Sequence, residues 1–181
     1  LVDIYSYWTF SDIFEEEPFP SLPFHGGFGL LNLHGIPKPT YRAFELLHRL
    51  GTNRCQVSSD YDSNIEVLAV RDKSELILLI YNYNIPLAPI QEEDVLLKVK
   101  GMPNLDSIFN ERIDQFHANP KKIWLDMGGP QYLTNEMIQE LSEKSKLTKE
   151  KTNINYLSEE ALIHVKVPPN GIVAITCQLK I

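Results

Sequence analysis

Pro18, Pro20, Pro23, Pro37 and Pro39, together with Gly26, Gly27, Gly29 and Gly35, crowd residues 14–39. Proline removes a backbone donor and glycine loosens the chain, so neither a helix nor a sheet ladder can run through this stretch. It must be a long loop, and loops of that length are either functional or disordered. Phe14, Phe19, Phe24 and Phe28 favour an ordered loop with aromatic anchors. Before it, residues 2–10 are aromatic and β-branched, with no room for helical periodicity, and read as a buried strand. After it, Thr40 can cap a helix whose apolar stripe is Ala43, Phe44, Leu46, Leu47 and Leu50, with Gly51 at its C-terminal end. Strand, long loop and amphipathic helix make the repeating unit of a (β/α) barrel. A single unit cannot close a barrel. Its strand would expose two edges and both apolar faces. The chain also starts at Leu1 and not at Met, so the expectation is a piece of something larger. The first strand is then expected to be covered by an upstream barrel portion, by another chain such as a second copy in a homo-oligomer, or by the rest of this chain.

From about Arg54 the pattern changes. Residues 65–70, 75–82, 95–99, 107–116, 162–167 and 171–179 are short strand-like runs separated by turn residues, the last two joined by Pro168-Pro-Asn-Gly171. Such spacing indicates a β-sandwich. Two short helices interrupt it. Asn119-Pro120 opens the first, with Ile123, Trp124 and Met127 on one face and Gly128-Gly129-Pro130 closing it. Thr134 can cap the second, which buries Ile138 and Leu141.

The composition excludes several classes of function. A net charge of −7 argues against a nucleic-acid surface, which needs a basic face. The Lys144 to Lys151 run alternates with Glu and Thr and reads as a solvated helix end. No apolar run approaches the ~20 residues of a membrane span. Cys55 and Cys177 lack a CxxC spacing and read as free thiols, which with the soluble composition gives an expected cytoplasmic location. The histidines have no metal-ligand spacing, and no Ser-His-Asp set, phosphate loop or nucleophile elbow is present, so no cofactor or metal is expected.

The candidates for chemistry lie in the first segment: Trp8, Asp12, Glu15, Glu16, His25 and Phe28. Trp8 at a strand end could be an apolar platform for a sugar ring, or equally a core residue closing a barrel end. Glu15 and Glu16 could accept hydrogen bonds from sugar hydroxyls, while composition alone favours a solvated acidic loop. His25 is either a polar contact or a partner for its own turn. Glycoside hydrolysis needs two carboxylates facing one bond from opposite sides. Glu15 and Glu16 are adjacent and poorly placed for that. Asn110-Glu111 falls in a sandwich strand and Asn135-Glu136 in the first turn of a surface helix, so neither is a catalytic pair.

Ser6-Tyr-Trp-Thr-Phe-Ser-Asp12, Phe14-Glu-Glu16, Phe24-His-Gly-Gly-Phe-Gly-Leu30 and Ile36-Pro-Lys-Pro-Thr40 resemble the last barrel strand and following loop of glycoside hydrolase family 39, in its bacterial β-xylosidase branch. Arg112-Ile-Asp114, Asn119, Trp124, Met127-Gly128 and Pro130-Gln-Tyr132 resemble that family's C-terminal β-sandwich. The resemblance implies a mainly β fold with α: residues 1–52 as the last strand, active-site loop and helix of a (β/α)8 barrel, and residues 53–181 as a β-sandwich with two short helices. It implies a retaining mechanism whose two catalytic glutamates lie upstream of Leu1, leaving no catalytic residue in this chain. It implies a carbohydrate partner of xyloside type, bound through Trp8, Glu15 and Glu16. The alternative is a sugar-sensing, glycosidase-like domain of an AraC-type transcriptional regulator. A free-standing carbohydrate-binding sandwich is a third reading.

Overall fold

Alternating burial along antiparallel strands builds the larger part of the molecule. The computed structural model describes residues 4–13, 21–60, 63–101, 105–157 and 160–179. The chain divides into two compact units, Leu1–Glu45 with Gln115–Lys146 and Leu46–Asp114 with Leu147–Ile181.

The second unit holds nine described strands: β1 (Asn53–Arg54), β2 (Ile65–Arg71), β3 (Glu75–Asn82), β4 (Glu93–Val99), β5 (Leu105–Ile113), β6 (Glu150–Lys151), β7 (Asn155–Leu157), β8 (Glu160–Val167) and β9 (Ile172–Leu179). They form a six-stranded sheet in the order β1-β2-β3-β9-β5-β6 and a three-stranded sheet in the order β4-β8-β7. All strand pairs are antiparallel. In β8, Ala161, Ile163, Val165 and Val167 are buried and alternate with more exposed residues. They meet Leu76, Leu78 and Ile80 of β3 and Val173, Ile175 and Cys177 of β9 in one apolar core between the sheets. Burying each large aliphatic side chain there is worth roughly 1.5–3 kcal/mol. β9 lies between β3 and β5 and is buried on both faces from Val173 to Cys177.

Two polar ties join the sheets at one end. Asn82 Nδ2, at the end of β3, donates to the carbonyls of Val167 (2.9 Å) and Gln91 (2.7 Å). The Arg112 guanidinium, from β5, donates to the Lys166 carbonyl at 2.7 Å and approaches Asp114 at 3.4 Å. The Pro168-Pro-Asn-Gly171 turn carries the chain from one sheet to the other, with Asn170 at φ 55° and the Gly171 N–H on the Pro168 carbonyl.

In the first unit, α2 (Pro120–Asp126) has proline in its first turn and ends at Gly128 and Gly129, both at positive φ. In α3 (Asn135–Lys144) the Thr134 side chain accepts from the Met137 N–H. Trp124 and Leu141 from these helices pack with Phe24 and Ile36 of the long loop. Thus part of the proline-rich loop is core.

Three expectations need correction. Residues 4–10 form no regular strand, and Ile4, Tyr5 and Phe10 are exposed by 86%, 70% and 65%. A strand needs at least one hydrogen-bonded neighbour, and no strand ladder among the described residues includes residues 4–8. The helix α1 spans Pro39–His48, so Thr40 lies inside its first turn and Gly51 lies beyond its end. Proline fits the first helical position because its missing N–H would have no partner there. Of the expected apolar stripe only Leu46 is buried.

Candidate functional site

Three backbone hydrogen bonds set the N-terminal segment beside the long loop. The N–H groups of Leu30 and Leu31 donate to the carbonyls of Thr9 and Phe10 (3.0 Å each), and the Asp12 N–H donates to the Leu31 carbonyl (2.9 Å). Ser11 and Leu31 form a parallel bridge. Gly29 makes the approach possible: a Cβ there would strike the backbone nitrogen of Asp12 and the carbonyl carbon of Ser11. Glycine is needed for close contact and not for an unusual φ.

Trp8 stands just before this junction with 75% of its surface exposed. Phe28 meets it edge-on, with ring centroids 6.5 Å apart and an interplanar angle of 74°, and is itself 45% exposed. Two aromatic rings at an angle, both open to solvent, offer apolar faces on which the C–H face of a sugar can stack. Glu15 and Glu16 lie outside the described residues. Of the three residues expected to contact a sugar, Trp8 alone lies among the described residues.

Asp12 points inward. It is 1% exposed, and its Oδ1 accepts from the Gly29 N–H at 2.7 Å. Lys38 Nζ donates to Oδ1 at 3.0 Å, to Oδ2 at 2.8 Å and to the Gly27 carbonyl at 2.6 Å. An ammonium has three donors, and all three are used. His25 Nδ1 accepts from the Gly27 N–H at 3.0 Å, while its Nε2 lies 4.0 Å from Asp12 Oδ2. His25 thus serves its own turn, and its other nitrogen faces the buried carboxylate.

A second turn brings Lys38 to Asp12. Asn32 Oδ1 accepts from the N–H groups of His34 and Ile36, both at 2.9 Å, and Gly35 sits at φ 74°. An Asx-type turn of this kind reverses the chain. The Lys38 N–H then bonds the Leu30 carbonyl at 2.9 Å. Nothing in Ile36-Pro-Lys-Pro-Thr40 alone assigns Lys38 a role. Its signal was a lone cation between two prolines, 26 residues from its carboxylate.

Glu111 and Glu136 serve the scaffold. Glu111 is buried on β5 and paired with Arg49 at 2.9 Å, while the neighbouring Asn110 donates to Thr152 Oγ1. Glu136 occupies the first turn of α3, where its own backbone N–H and the Thr134 hydroxyl hold its carboxyl below the usual range. Neither Asn-Glu pair has the surroundings of a catalytic carboxylate. Burial pushes the Cys177 thiol up to about 12. Among the described residues no group of three or more His, Cys, Asp or Glu could hold a metal ion. None of their helices is long and apolar enough to cross a membrane.

The family model "Glycosyl hydrolases family 39" matches residues 1–158. A beta-xylosidase of Caldicellulosiruptor saccharolyticus is 49% identical over 174 residues, covering 95% of this chain and 36% of the relative. A beta-xylosidase of Geobacillus stearothermophilus is 31% identical over 140 residues, covering 77% of this chain and 27% of the relative. Among solved structures, a monomeric beta-xylosidase from Caulobacter crescentus CB15 superposes with a TM-score of 0.71 at 26% identity, covering 98% of this chain and 38% of that one. The matches therefore span 27% to 38% of the length of these relatives.

Proposed function

The chain belongs to glycosyl hydrolase family 39, and from that premise we propose that it is the C-terminal portion of a retaining β-xylosidase-like enzyme. In this reading residues 1–52 contribute the end of the barrel and one wall of the sugar subsite, and residues 53–181 contribute the accessory sandwich, except for residues 115–146, whose two short helices pack with the long loop. The observation that carries it is the exposed Trp8–Phe28 pair, held by a buried polar cluster at the one segment where aromatics, carboxylates and glycines concentrate. Trp8 stacks on the sugar. Glu15 and Glu16 accept its hydroxyl hydrogen bonds.

Retaining hydrolysis uses one carboxyl as acid/base and one as nucleophile, roughly 5–5.5 Å apart. Asp12 and Glu111 are each committed to a cation. Both catalytic groups are assigned to the full-length protein outside these 181 residues, with xylosides or xylo-oligosaccharides as its substrates. The sugar-sensing regulator finds no support among the relatives named above.

The test is kinetic. In the full-length protein, Trp8→Ala should lower kcat/KM for a nitrophenyl β-xyloside about tenfold or more, the loss expected for one stacking contact of 1–2 kcal/mol. The 181-residue chain alone should show no turnover. Hydrolysis by that chain, or an unchanged kcat/KM in Trp8→Ala, would refute the assignment.

A further inference from the structure

The two peptide groups flanking Phe28 are both tied to one buried ion pair. The Gly27 carbonyl accepts from Lys38 Nζ at 2.6 Å, and the Gly29 N–H donates to Asp12 Oδ1 at 2.7 Å. Asp12 and Lys38 are themselves joined through both carboxylate oxygens. Their side chains are 0% and 14% exposed, so the pair sits under the surface and not on it. On the other side of the junction, the Thr9 carbonyl, next to Trp8, accepts from Leu30, two residues after Phe28. Trp8 and Phe28 are thus fixed to one another through a short chain of hydrogen bonds with Asp12–Lys38 at its centre.

We propose that Asp12 and Lys38 are positioning residues for the sugar platform, setting the angle and separation of Phe28 against Trp8 without touching the sugar. The proposal rests on the carbohydrate reading of Trp8. A purely structural ion pair would brace some part of the fold without regard to the aromatics. This one grips the backbone immediately before and after the ring that flanks Trp8. The ammonium has all three donors committed and the carboxylate side chain is 0% exposed, which leaves neither group a role in direct binding. Charge-assisted bonds of this kind are stronger than neutral ones and hold geometry more tightly.

The chain has two tryptophans, Trp8 and Trp124, so its indole N–H groups give two distinct nuclear magnetic resonance signals. Trp124 donates its indole N–H to the Pro130 carbonyl at 2.9 Å and reports on the core of the same unit. In Lys38→Met the Trp124 signal should stay in place. The Trp8 signal should move, the Trp8–Phe28 ring cross-peaks should weaken, and the Gly29 amide should exchange about tenfold faster or more. The xylobiose-induced shift of the Trp8 signal seen in the wild-type chain should be lost. Asp12→Asn is close to isosteric and guards against a Lys38→Met chain that does not fold. It removes the charge and presents an amide to the ammonium, so it should weaken the same cross-peaks and quicken the same exchange. Unchanged cross-peaks and Gly29 exchange in either folded variant would overturn the proposal. An absent xylobiose shift in the wild-type chain would count against the carbohydrate reading alone, while exchange and cross-peaks still decide the positioning role.

Discussion

Replacing Asn82 by leucine should destabilise the sandwich by about 0.5–3.5 kcal/mol, and the structure shows where that loss arises. Asn82 is buried, and its Nδ2 satisfies two carbonyls on separate elements, Val167 at the end of β8 and Gln91 before β4. Gln91 is exposed, so water can replace its donor and the loss there is about 0.5–1.5 kcal/mol. Val167 is fully buried, and its carbonyl would be left with a desolvation cost of about 1–3 kcal/mol. One term opposes these: Asn82 Oδ1 is buried without a partner in the described structure, and leucine removes that burden, worth about 1 kcal/mol. For a chain of this size each kcal/mol lowers the melting temperature by about 2–4 °C, so the transition should fall by roughly 1–14 °C. Asn82→Asp should cost more, because it sets a carboxylate against two carbonyl oxygens. The assay is thermal unfolding followed by far-ultraviolet circular dichroism, which is dominated by the strands. If Asn82→Leu melts within a degree of the wild type, the cross-sheet tie contributes nothing and the reasoning fails.

Cys177 predicts a pH dependence. Its thiol is raised from an ordinary value near 9.0 to about 12 by burial, so it contributes stability that is fully present below pH 9 and lost as pH rises toward 12. At pH 10.5 that amounts to about 2 kcal/mol. The difference in urea midpoint between wild type and Cys177→Ala should therefore shrink between pH 8 and pH 10.5, and a constant difference would refute it. Gly29→Ala should cost roughly 3 kcal/mol, because its Cβ meets backbone of Ser11 and Asp12 that cannot move aside. Gly35→Ala, with open space around it and φ 74°, should cost only about 1 kcal/mol. Denaturant titration of both variants checks the order, and the reverse order would exclude the close approach as the reason for Gly29.

The sandwich was legible because its signal is local. Alternation in residues 162–167 and the apolar runs at 75–82 and 171–179 match β8, β3 and β9 to within a residue or two. Helices α2 and α3 were legible through Pro120, Gly128 and Thr134, each a short-range device. The short strands β1, β6 and β7 were missed, since two or three mostly polar residues carry no period and pair only because a neighbouring edge is available. The strand expected over residues 2–10 is absent from residues 4–10 for a related reason. Strand propensity expresses fit to a pleated, half-buried surface, and aromatic, β-branched composition there shows what the segment would suit without supplying a neighbour for it.

Asp12 shows what composition cannot decide at a site. A carboxylate four residues from an exposed tryptophan reads as a candidate for substrate, and nothing local distinguishes it from Glu15 or Glu16. The distinction is one of capacity. Asp12 takes three N–H···O contacts on two buried oxygens, two from an ammonium whose third proton is also committed. A carboxylate so buried must leave its site, and with it these charge-assisted bonds, before it can accept one from a sugar, at about 1.5–3 kcal/mol per bond. A sugar hydroxyl arriving from water brings only an exchange of similar bonds and cannot repay that loss. The pair Asp12–Lys38 is therefore excluded from recognition by the same bonds that let it hold Phe28 in place. Recognition is left to the rings of Trp8 and Phe28, which keep 75% and 45% of their surface exposed.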